Sequence, residues 1–592
     1  MNELVNSRSP YLLIHKDNPI FWKVWDERNL KLAKELDKLV FISIGYFSCH
    51  WCHVMAREVF EDPDVAEVLN ENFVSIKVDR EENPDVDDFY INALSLLSEG
   101  RAGWPANLFL TPDLKPFFGF TYLPKKNFIE VCKRILKVWK EDREKIMEYA
   151  DEVYEKLTTN YLNKLELLDR SLFSPQKIEE KLSWVDENIH NSLDDKGGFG
   201  RRPKFPPHQI LEYLLLRYSY APNDYVFQTL NKTLTHMIMG GMYDVVDGGF
   251  CRYSVDENWM VPHFEKMLYD NAFLIYIYSK ASKIFEKTDN NKSKIFYNVA
   301  LKTFDFLNNF LYEGRGYYSS LSAESKVNES KVNDKNIAKD EEGAYYLYDY
   351  SEIEKIDSFD NFFSTYEFYN FHTGYKGLIV HYKKFPSVEN MDQMEEVVKK
   401  LKIIRKQKNK PYLDNKIVLS WNSILSVYLF KSFKETGYKP FFDRAKQVTD
   451  FLVSNFQVNG KLKRLMVEEH VYGKALLEDY LWLCNSLWYC YSLTNEKYYY
   501  DLCLNLFNEA MEKFYRNGVF YNSENFDIFD IFDNAIHSNN SLALTVGLML
   551  GKENLFTDLA LKILYFLDNF LYLGSYLSFL LSFLVYYNFR NS

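Results

Sequence analysis

The first 125 residues alternate apolar, β-branched runs with helical patterns, and this order limits the available folds more than any other feature. Leu39–Tyr46 (LVFISIGY) and Phe73–Asp79 (FVSIKVD) each predict a buried strand, with helical patterns before, between and after them. Gly103–Thr111 and Pro116–Tyr122, joined by a PDLK turn, predict a hairpin. Strands connected through helices run parallel and need helices on both faces of their sheet. The prediction for this region is therefore an α/β domain of order β-α-β-α-β-β.

A pair of cysteines, Cys49 and Cys52, directly follows the first of these strands and opens a helix. The first N–H groups of a helix are unpaired and its dipole is positive there, so a thiolate is stabilised and its pKa falls. Cys49 is then the nucleophile, and Cys52, one turn later, resolves the mixed disulfide. His50 and Trp51 lie between them, and a protonated His50 would favour the thiolate further. With the strand order above, this is the thioredoxin arrangement.

The surroundings of the cysteine pair carry two further expectations. A thioredoxin fold places a cis-proline beside the pair, and Trp104-Pro105, just before a predicted strand, has the right position. The strand VFISIGY holds no acid that could accept a proton from the resolving cysteine, so His53 or a water would have to do so.

The same letters leave other chemistry open. CHWCH matches the C-x-x-C-H pattern of haem attachment, but that reaction needs export, an axial partner and open space. Cys49 and Cys52 with His50 or His53 could ligate zinc, although no second CxxC or HxxxH completes a closed site. A purely structural pair is the third alternative. Thiol–disulfide chemistry is favoured, and no metal or cofactor is expected.

Length, charge and cysteine usage set the remaining limits. At 592 residues the chain is too long for one ordinary domain, and 47% apolar residues supply sizeable cores. A net charge of -12 without a long basic run argues against nucleic acid or an anionic membrane as partner. No signal peptide is evident, so we expect a cytoplasmic protein. The uncharged stretch at 570–587 is interpreted as a buried helix rather than a membrane span. The other cysteines lie singly and are expected to be buried thiols: Cys132, Cys251, Cys484, Cys490 and Cys503.

Several long segments resemble one family throughout. They include SPYLLIHKDNPIFWKVW, SIGYFSCHWCHVMAREVFED, GWPANLFLTPDLKPFFGFTY, GGFGRRPKFP and GGMYDVVDGGFCRYSVDENWMVPHFEKMLYDN. On these motifs the chain resembles the spermatogenesis-associated thioredoxin-like protein family. The resemblance implies a thioredoxin-like domain with CxxC over 1–160 and an all-α (α/α)6 toroid of six-hairpin glycosidase type over 161–592. Helical patterns that recur at roughly 20 to 30 residues, with few strand patterns, agree with about a dozen helices in six hairpins.

Acidic and aromatic loops of the toroid are the second candidate site. Carboxylates can act as acid and base on a sugar, and aromatic faces can stack on its ring. The candidates are Asp244, Asp247, Arg252, Asp256, Trp259, His263, Glu265, Tyr269, Asp270, Trp421, Asn422, Glu478, Asp479, Asp533 and Asn539. We expect His263, Glu265 and Asp270 to point into one cavity. The alternative is that these residues only tie long loops to the toroid rim.

One segment weakens the case for a sugar enzyme. Relatives carry an acidic D-A-D-S stretch where this chain has SLSAESK, so Ser322 replaces the first Asp and Glu324 the second. A low-complexity insertion over Ser325–Lys339 follows. A catalytic carboxylate lost at this place would leave a binding site or none.

Two hypotheses follow from the sequence. In the first, the chain is a thiol–disulfide oxidoreductase that uses Cys49 and Cys52 on protein clients or a redox partner, and the toroid recognises the client. In the second, the toroid is carbohydrate-active or carbohydrate-binding, with a sugar ligand, and the thioredoxin-like domain only docks partners.

Overall fold

The computed structural model describes residues 1–158, 175–200, 202–327, 340–555, 557–560, 563 and 577–591. The N-terminal domain contains a four-stranded sheet of order β2-β1-β3-β4. Its strands are β1 (Leu39–Gly45), β2 (Phe73–Asp79), β3 (Ala106–Leu110) and β4 (Pro116–Phe120). β1 and β2 are parallel, whereas β3 and β4 are antiparallel to their neighbours. The predicted strand order is confirmed, and the predicted bounds differ by at most three residues.

Helices cover both faces of this sheet, and β1 and β2 are therefore buried along their whole lengths. They are α1 (Pro10–Ile14), α2 (Glu27–Glu35), α3 (His50–Met55), α4 (Pro63–Asn72), α5 (Pro84–Leu97), α6 (Lys125–Glu141) and α7 (Arg143–Thr158), with a short 3-10 helix at Leu4–Asn6. α3 continues into a π-helical segment, Ala56–Phe60, which the sequence pattern does not reveal. The predicted domain boundary at 160/161 lies outside the described residues.

Six helices of the second domain form a closed ring, each packed on the next and the last on the first. They are α9 (His208–Tyr220), α11 (Leu268–Phe285), α16 (Leu419–Thr436), α18 (Leu477–Thr494), α20 (Asn539–Met549) and α21 (Leu577–Asn591). Four helices pack outside their ring neighbours: α10 (Asp224–Met239), α12 (Asn290–Phe310), α17 (Lys439–Asn455) and α19 (Lys497–Phe514). This is the inner and outer layering of an (α/α)6 toroid, as the sequence predicted.

Helices of the inner and outer layers differ in how many of their residues are buried. In α11, 16 of 18 residues are buried, so this helix is covered on all sides. In α12 only 8 of 21 are buried, which leaves one apolar stripe and a solvated face. The remaining helices are α8 (Pro175–Asn191), α13 (Tyr350–Ile353), α14 (Phe359–Phe362) and α15 (Met391–Arg405), with a 3-10 helix at Val388–Asn390.

Short strands between the helices are more numerous than the sequence patterns indicated. The longest pairs are β11 (Phe363–Tyr369) with β12 (Lys376–Tyr382), and β16 (Lys461–Val467) with β17 (His470–Lys474). The others are β5 (Tyr253–Ser254), β6 (Pro262–His263), β7 (Lys266–Met267), β8 (Ser320–Leu321), β9 (Glu324–Lys326), β10 (Asp340–Glu342), β13 (Leu413–Asp414), β14 (Lys416–Val418), β15 (Gln457–Val458), β18 (Tyr515–Arg516) and β19 (Val519–Phe520). Most were missed because runs of two or three residues are too short to show a period of two.

Two sequence expectations fall partly outside the description. Residues 328–339 of the low-complexity insertion and 570–576 of the long apolar stretch are not described. Among the helices that are described, none is long and apolar enough to cross a membrane. The five single cysteines are free and buried, as predicted.

Candidate functional site

Cys49 lies where β1 gives way to α3 and is the N-cap residue of that helix. Its Sγ accepts a hydrogen bond from the backbone N–H of Cys52 at 3.1 Å. The two cysteines are joined as a disulfide, with their Cα atoms 5.3 Å apart. In the reduced protein the same N–H and the helix dipole would stabilise a Cys49 thiolate.

The start of β3 lies beside the end of β1, because Ile44 pairs with Ala106. The Trp104-Pro105 bond is cis, as the thioredoxin resemblance implied. Trp104 donates its indole N–H to Asp87 at 2.7 Å and lies under the guanidinium of Arg80. The other X-Pro cis bond in the described chain, Arg202-Pro203, is in the second domain.

Gly45 ends β1 with no side chain, and two groups occupy the space that a β-carbon would fill. They are the hydroxyl of Tyr11 and Sγ of Cys52, 2.7 Å from the ideal β-carbon position. The Tyr11 hydroxyl is buried without a hydrogen-bond partner. It is therefore a polar group close to Cys52, in the strand region where the sequence offered no acid. His53 instead bonds the carbonyl oxygen of Phe47 at 2.6 Å, and burial lowers the pKa of its ring.

The second domain reaches the cysteine loop through Glu265, which is fully buried. Its carboxylate accepts from the hydroxyls of Ser48 at 2.9 Å and Tyr46 at 3.2 Å. Arg252 donates to the same carboxylate at 3.1 Å and to the Tyr46 hydroxyl. Two residues that the sequence assigned to sugar chemistry therefore bind the segment between β1 and the CxxC.

His50, between the two cysteines, contacts two carboxylates of the toroid. Its Nδ1 lies 2.6 Å from Glu324 Oε1, and its Nε2 lies 3.8 Å from Glu342. Burial disfavours the charged ring, but Glu342 and Glu324 outweigh it and raise the pKa of His50. The ring is thus biased towards the imidazolium form, which favours a neighbouring thiolate. Arg57 also donates to Glu324, at 3.0 Å.

This arrangement closes the cysteine pair off from solvent. Cys49 is 4% exposed and Cys52 1%, whereas Trp51 between them is 43% exposed. The indole of Trp51 packs near Tyr122 and near His372 of the toroid hairpin β11–β12. A bulky molecule cannot reach Sγ of Cys49 while the two domains keep these contacts.

A second ion cluster joins the domains at the end of β2. Lys416, fully buried, lies 2.6 Å from Asp79, 3.0 Å from Glu81 and 3.0 Å from Asp414. Arg464 donates to the carbonyl oxygen of Glu81 at 2.8 Å and forms ion pairs with Glu478 at 2.6 Å and Asp479 at 2.9 Å. The segment after β2 is therefore held at the toroid end where the ring helices begin.

Several carboxyls at this end have raised pKa values, with burial as the largest cause. Burial raises the pKa of Asp530 to about 7 and that of Asp533 to about 6, and nearby carboxylates add to the effect on Asp530. Burial also raises the pKa of Glu81 and of Glu82. A carboxyl whose pKa is higher in the folded state stabilises that state when it is protonated. Its contribution to the free energy of unfolding is complete below about pH 4, the pKa in the unfolded chain, and is lost as the pH rises through the pKa of the folded state.

Asp530→Asn should therefore gain stability relative to the wild type as the pH rises. The wild-type carboxyl costs about 1.4 kcal/mol for each pH unit between its unfolded and folded pKa values, and an amide has no such cost. Urea unfolding at pH 5 and pH 8.5 measures the difference between the two proteins, which cancels the titration of buried histidines common to both. A difference that is the same at both pH values would contradict the assignment.

The other predicted toroid residues take structural contacts. Asp244 pairs with Arg405 and with Lys266, and Asp247 also pairs with Arg405. Tyr269 packs edge-on against Trp421. The remaining ones cap or tie loops: Asp256 to the N–H of Met260, Trp259 to the carbonyl of Lys196, Asn422 to Tyr317, Asp533 to the N–H groups of Ser538 and Ser578, and Asn539 to Asn522.

The structure brings His263 and Glu265 together, with His263 Nε2 3.7 Å from Glu265 Oε1, and the expectation that these two residues and Asp270 line one cavity stays a prediction. His263 Nδ1 pairs with Glu342 at 2.7 Å, and Glu265 binds the cysteine loop. Asp270 pairs separately with His208 at 2.9 Å. Because the N-terminal domain covers this end of the toroid, Glu265 has partners across the interface, whereas His263 and Asp270 pair with residues of their own domain.

Sequence reasoning missed the partners of His50. Glu324 was interpreted as a remnant of a lost acidic motif, and Glu342 was not considered, because 274 residues separate His50 from Glu324. Glu324 lies in a serine-rich segment, after Ser319, Ser320 and Ser322, and nothing in that segment points to His50. Among the described residues, no group of three or more His, Cys, Asp or Glu side chains is placed to hold a metal ion.

The sheet with its CxxC helix and the ring of six inner helices define the class of protein: a thioredoxin-like domain joined to an (α/α)6 toroid of six-hairpin glycosidase type. Residues 1–158 match the family Thioredox_DsbH, described as protein of unknown function, DUF255. The chain is 31% identical over 572 residues to uncharacterized protein B0495.5 of Caenorhabditis elegans, with 89% of this chain and 76% of that protein covered. It is 30% identical over 583 residues to spermatogenesis-associated protein 20 of Mus musculus, covering 88% and 71%. The chain belongs to the spermatogenesis-associated protein 20 family.

Solved structures share the toroid outline. A D-mannose isomerase aligns with a TM-score of 0.41 and 11% identity, covering 67% of this chain and 87% of that one. A GH76 α-mannanase of Bacteroides thetaiotaomicron aligns with a TM-score of 0.41 and 10% identity, covering 70% and 96%. Likeness at this level carries no inference about activity, and the toroid is assigned from its own ring of helices.

Proposed function

We propose that the protein is a thiol–disulfide oxidoreductase whose reacting pair is Cys49 and Cys52. The observation that carries the proposal is the placement of Cys49 at the N-cap of α3, with its Sγ bonded to the Cys52 N–H. His50, whose pKa the toroid carboxylates raise, adds positive charge beside it. Both effects lower the pKa of a free Cys49 thiol and make it a nucleophile near neutral pH.

In the reducing direction the Cys49 thiolate attacks one sulfur of a substrate disulfide. A Cys49–substrate disulfide forms, and the other substrate sulfur leaves as a thiolate. Cys52, as a thiolate, then attacks Cys49 Sγ, which forms the Cys49–Cys52 disulfide and releases the second substrate thiolate. Two electrons pass from the cysteine pair to the substrate, and the two thiol protons end on the substrate thiols. The buried hydroxyl of Tyr11 can donate a hydrogen bond to the Cys52 sulfur during this exchange.

The toroid is assigned the control of access. Because Cys49 is almost fully covered, the docked form admits at most a small disulfide, and a protein client requires the domains to separate locally. In a reducing cytoplasm, the expected location, the pair would be held as a dithiol ready to react. A sugar site at the covered end of the toroid is not proposed, because its acids are engaged in ion pairs.

Equilibration with glutathione buffers of graded redox potential tests the proposal. We expect one reversible two-electron transition. Alkylation and mass spectrometry should assign this transition to Cys49 and Cys52. Cys49→Ser should abolish the transition, whereas Cys132→Ser, which removes a buried free thiol of the same domain, should leave it unchanged. A pair that forms no disulfide at any glutathione ratio, or one that reacts only after denaturation, would refute the assignment.

A further inference from the structure

A cavity of about 220 Å³ lies on the axis of the toroid, inside the ring of inner helices. All six inner helices contribute to its lining, for example Glu212 of α9, Tyr276 of α11, Asn485 of α18 and Leu581 of α21. None of the residues that the sequence analysis selected lines it. The cavity is therefore separate from the cysteine pair, and it meets the candidate residues of the covered end where Asp533 bonds Ser578 of the lining.

The lining combines aromatic rings with charged side chains, and the deep ones are already paired. Glu212 lies 2.6 Å from Lys431 and 3.1 Å from His537, and it accepts from the Tyr428 hydroxyl at 2.7 Å. Elsewhere in the lining, Lys280 pairs with Glu435 at 2.7 Å. The deep charges thus neutralise one another, so a ligand needs no net charge to enter. The aromatic side chains of the lining are Tyr276, Tyr428, Trp482 and Tyr489.

Three buried side chains of the lining each keep a polar atom without a hydrogen-bond partner. They are Nε1 of Trp482, a donor; Oδ1 of Asn485, an acceptor; and Nδ1 of His537. Nε2 of His537 faces Glu212, so Nδ1 is the ring nitrogen left to donate to or accept from a guest. Buried polar atoms are nearly always paired in folded proteins, so these three atoms are available to form hydrogen bonds with a polar guest in the cavity.

The cavity approaches solvent at the end of the toroid remote from the thioredoxin-like domain. Lys434 and Glu435 lie in the last turn of α16, and Met549 is the last residue of α20. The interdomain contacts, in contrast, are made by segments such as Lys416 that precede the ring helices. A ligand can therefore enter this site without separating the two domains.

We propose that the toroid lumen is a binding site for a small, uncharged, hydroxyl-rich ring compound. Hydroxyl groups both donate and accept, so one such molecule can satisfy the Trp482 donor, the Asn485 acceptor and Nδ1 of His537. Aromatic walls cover the apolar face of such a ring. The volume lies below the roughly 300–1,000 Å³ of drug-sized pockets, which excludes an oligosaccharide or a nucleotide. This site goes beyond the proposed redox function and does not depend on it.

Labelling the full chain with 15N-tryptophan gives a direct test, because each indole N–H produces its own resonance. Trp482→Phe assigns the reporter signal, and the exposed Trp51 beside the cysteines serves as the internal control. We expect D-glucose or myo-inositol to shift the Trp482 signal saturably and to leave that of Trp51 in place. Cyclohexanol, a ring with one hydroxyl, should bind at least about tenfold more weakly, because most of the hydrogen bonds are lost.

Two variants then locate the site. Asn485→Leu removes the unpaired acceptor at nearly constant shape and should weaken binding by about tenfold. Trp482→Phe keeps the ring but removes the donor, and calorimetric titration with the same two probes should show a similar loss. The proposal is overturned if neither probe shifts the Trp482 signal, if cyclohexanol binds as tightly, or if neither variant changes the affinity. Cys49→Ser should bind the probes like the wild type, which separates this result from the fate of the redox proposal.

Discussion

Replacing Lys416 with methionine should destabilise the protein by about 3–5 kcal/mol. The side chain is fully buried and lies within 3.0 Å of three carboxylates, Asp79, Glu81 and Asp414. Methionine fills a similar volume but supplies no charge, so the variant leaves three acids facing one another in a dry environment. Asp79 and Glu81 belong to the N-terminal domain, whereas Asp414 and Lys416 belong to the toroid. The substitution should therefore mainly weaken the contact between the two domains.

Urea unfolding, with hydrogen exchange of the segment after β2, measures this effect. The exchange of residues 79–88 should accelerate more than that of the ring helices. Lys283→Met is the matched control, because that lysine is exposed and its pair with Glu286 at 3.6 Å contributes little. A Lys416→Met protein that unfolds within 1 kcal/mol of the control would contradict a docking role for this cluster.

Replacing Glu265 with alanine should make reduced Cys49 react about 150- to 5,000-fold faster with a bulky alkylating reagent. Glu265 is the acceptor for Ser48, Tyr46 and Arg252, and its removal leaves Arg252 buried without its carboxylate. Breaking a buried pair in this way costs about 3–5 kcal/mol, and each 1.36 kcal/mol changes the population of the open form about tenfold. The reagent reads that population because Cys49 is covered in the closed form.

The rates are measured on protein reduced beforehand, with the modified residue identified by mass spectrometry. Cys132 in the same domain reports general unfolding, since it is fully buried away from the interface. Selective acceleration at Cys49 is the expected outcome. Equal acceleration at both cysteines, or none at either, would show that Glu265 does not hold the toroid over Cys49 and Cys52.

The N-terminal domain was predictable from sequence because its information is local. The apolar runs of β1 and β2 and the CxxC at the following helix start appear within short windows, and the structure places β2 at the predicted residues. The π-helical segment Ala56–Phe60 was not predictable, because its composition does not differ from that of an ordinary helix. The ring of inner helices was visible as recurrent apolar stretches such as Leu268–Phe285.

Only part of the candidate sites could be predicted from the sequence. Cys49 and Cys52 carry a spacing that identifies them, whereas the contacts of Glu265 and Glu324 with the first domain join residues more than 200 positions apart. The sequence pattern around a carboxylate in a polar loop is the same whether that carboxylate faces a sugar or a buried arginine. Asn485 was overlooked for the opposite reason, since a single amide inside an apolar helix looks like core until the ring is closed around it.

Contacts between the cysteine loop and the toroid couple two equilibria, the docking of the domains and the formation of the Cys49–Cys52 disulfide. Ser48 and His50 flank Cys49, and both bind toroid carboxylates, so docking and redox state act on the same few residues. Coupling between two equilibria is reciprocal: whatever preference the docked toroid has for the disulfide form, forming the disulfide strengthens docking by the same factor. For a two-electron couple, a tenfold preference moves the reduction potential by about 30 mV. The toroid would thereby tune the potential of the pair, and the cellular thiol balance would in turn set how often the domains separate.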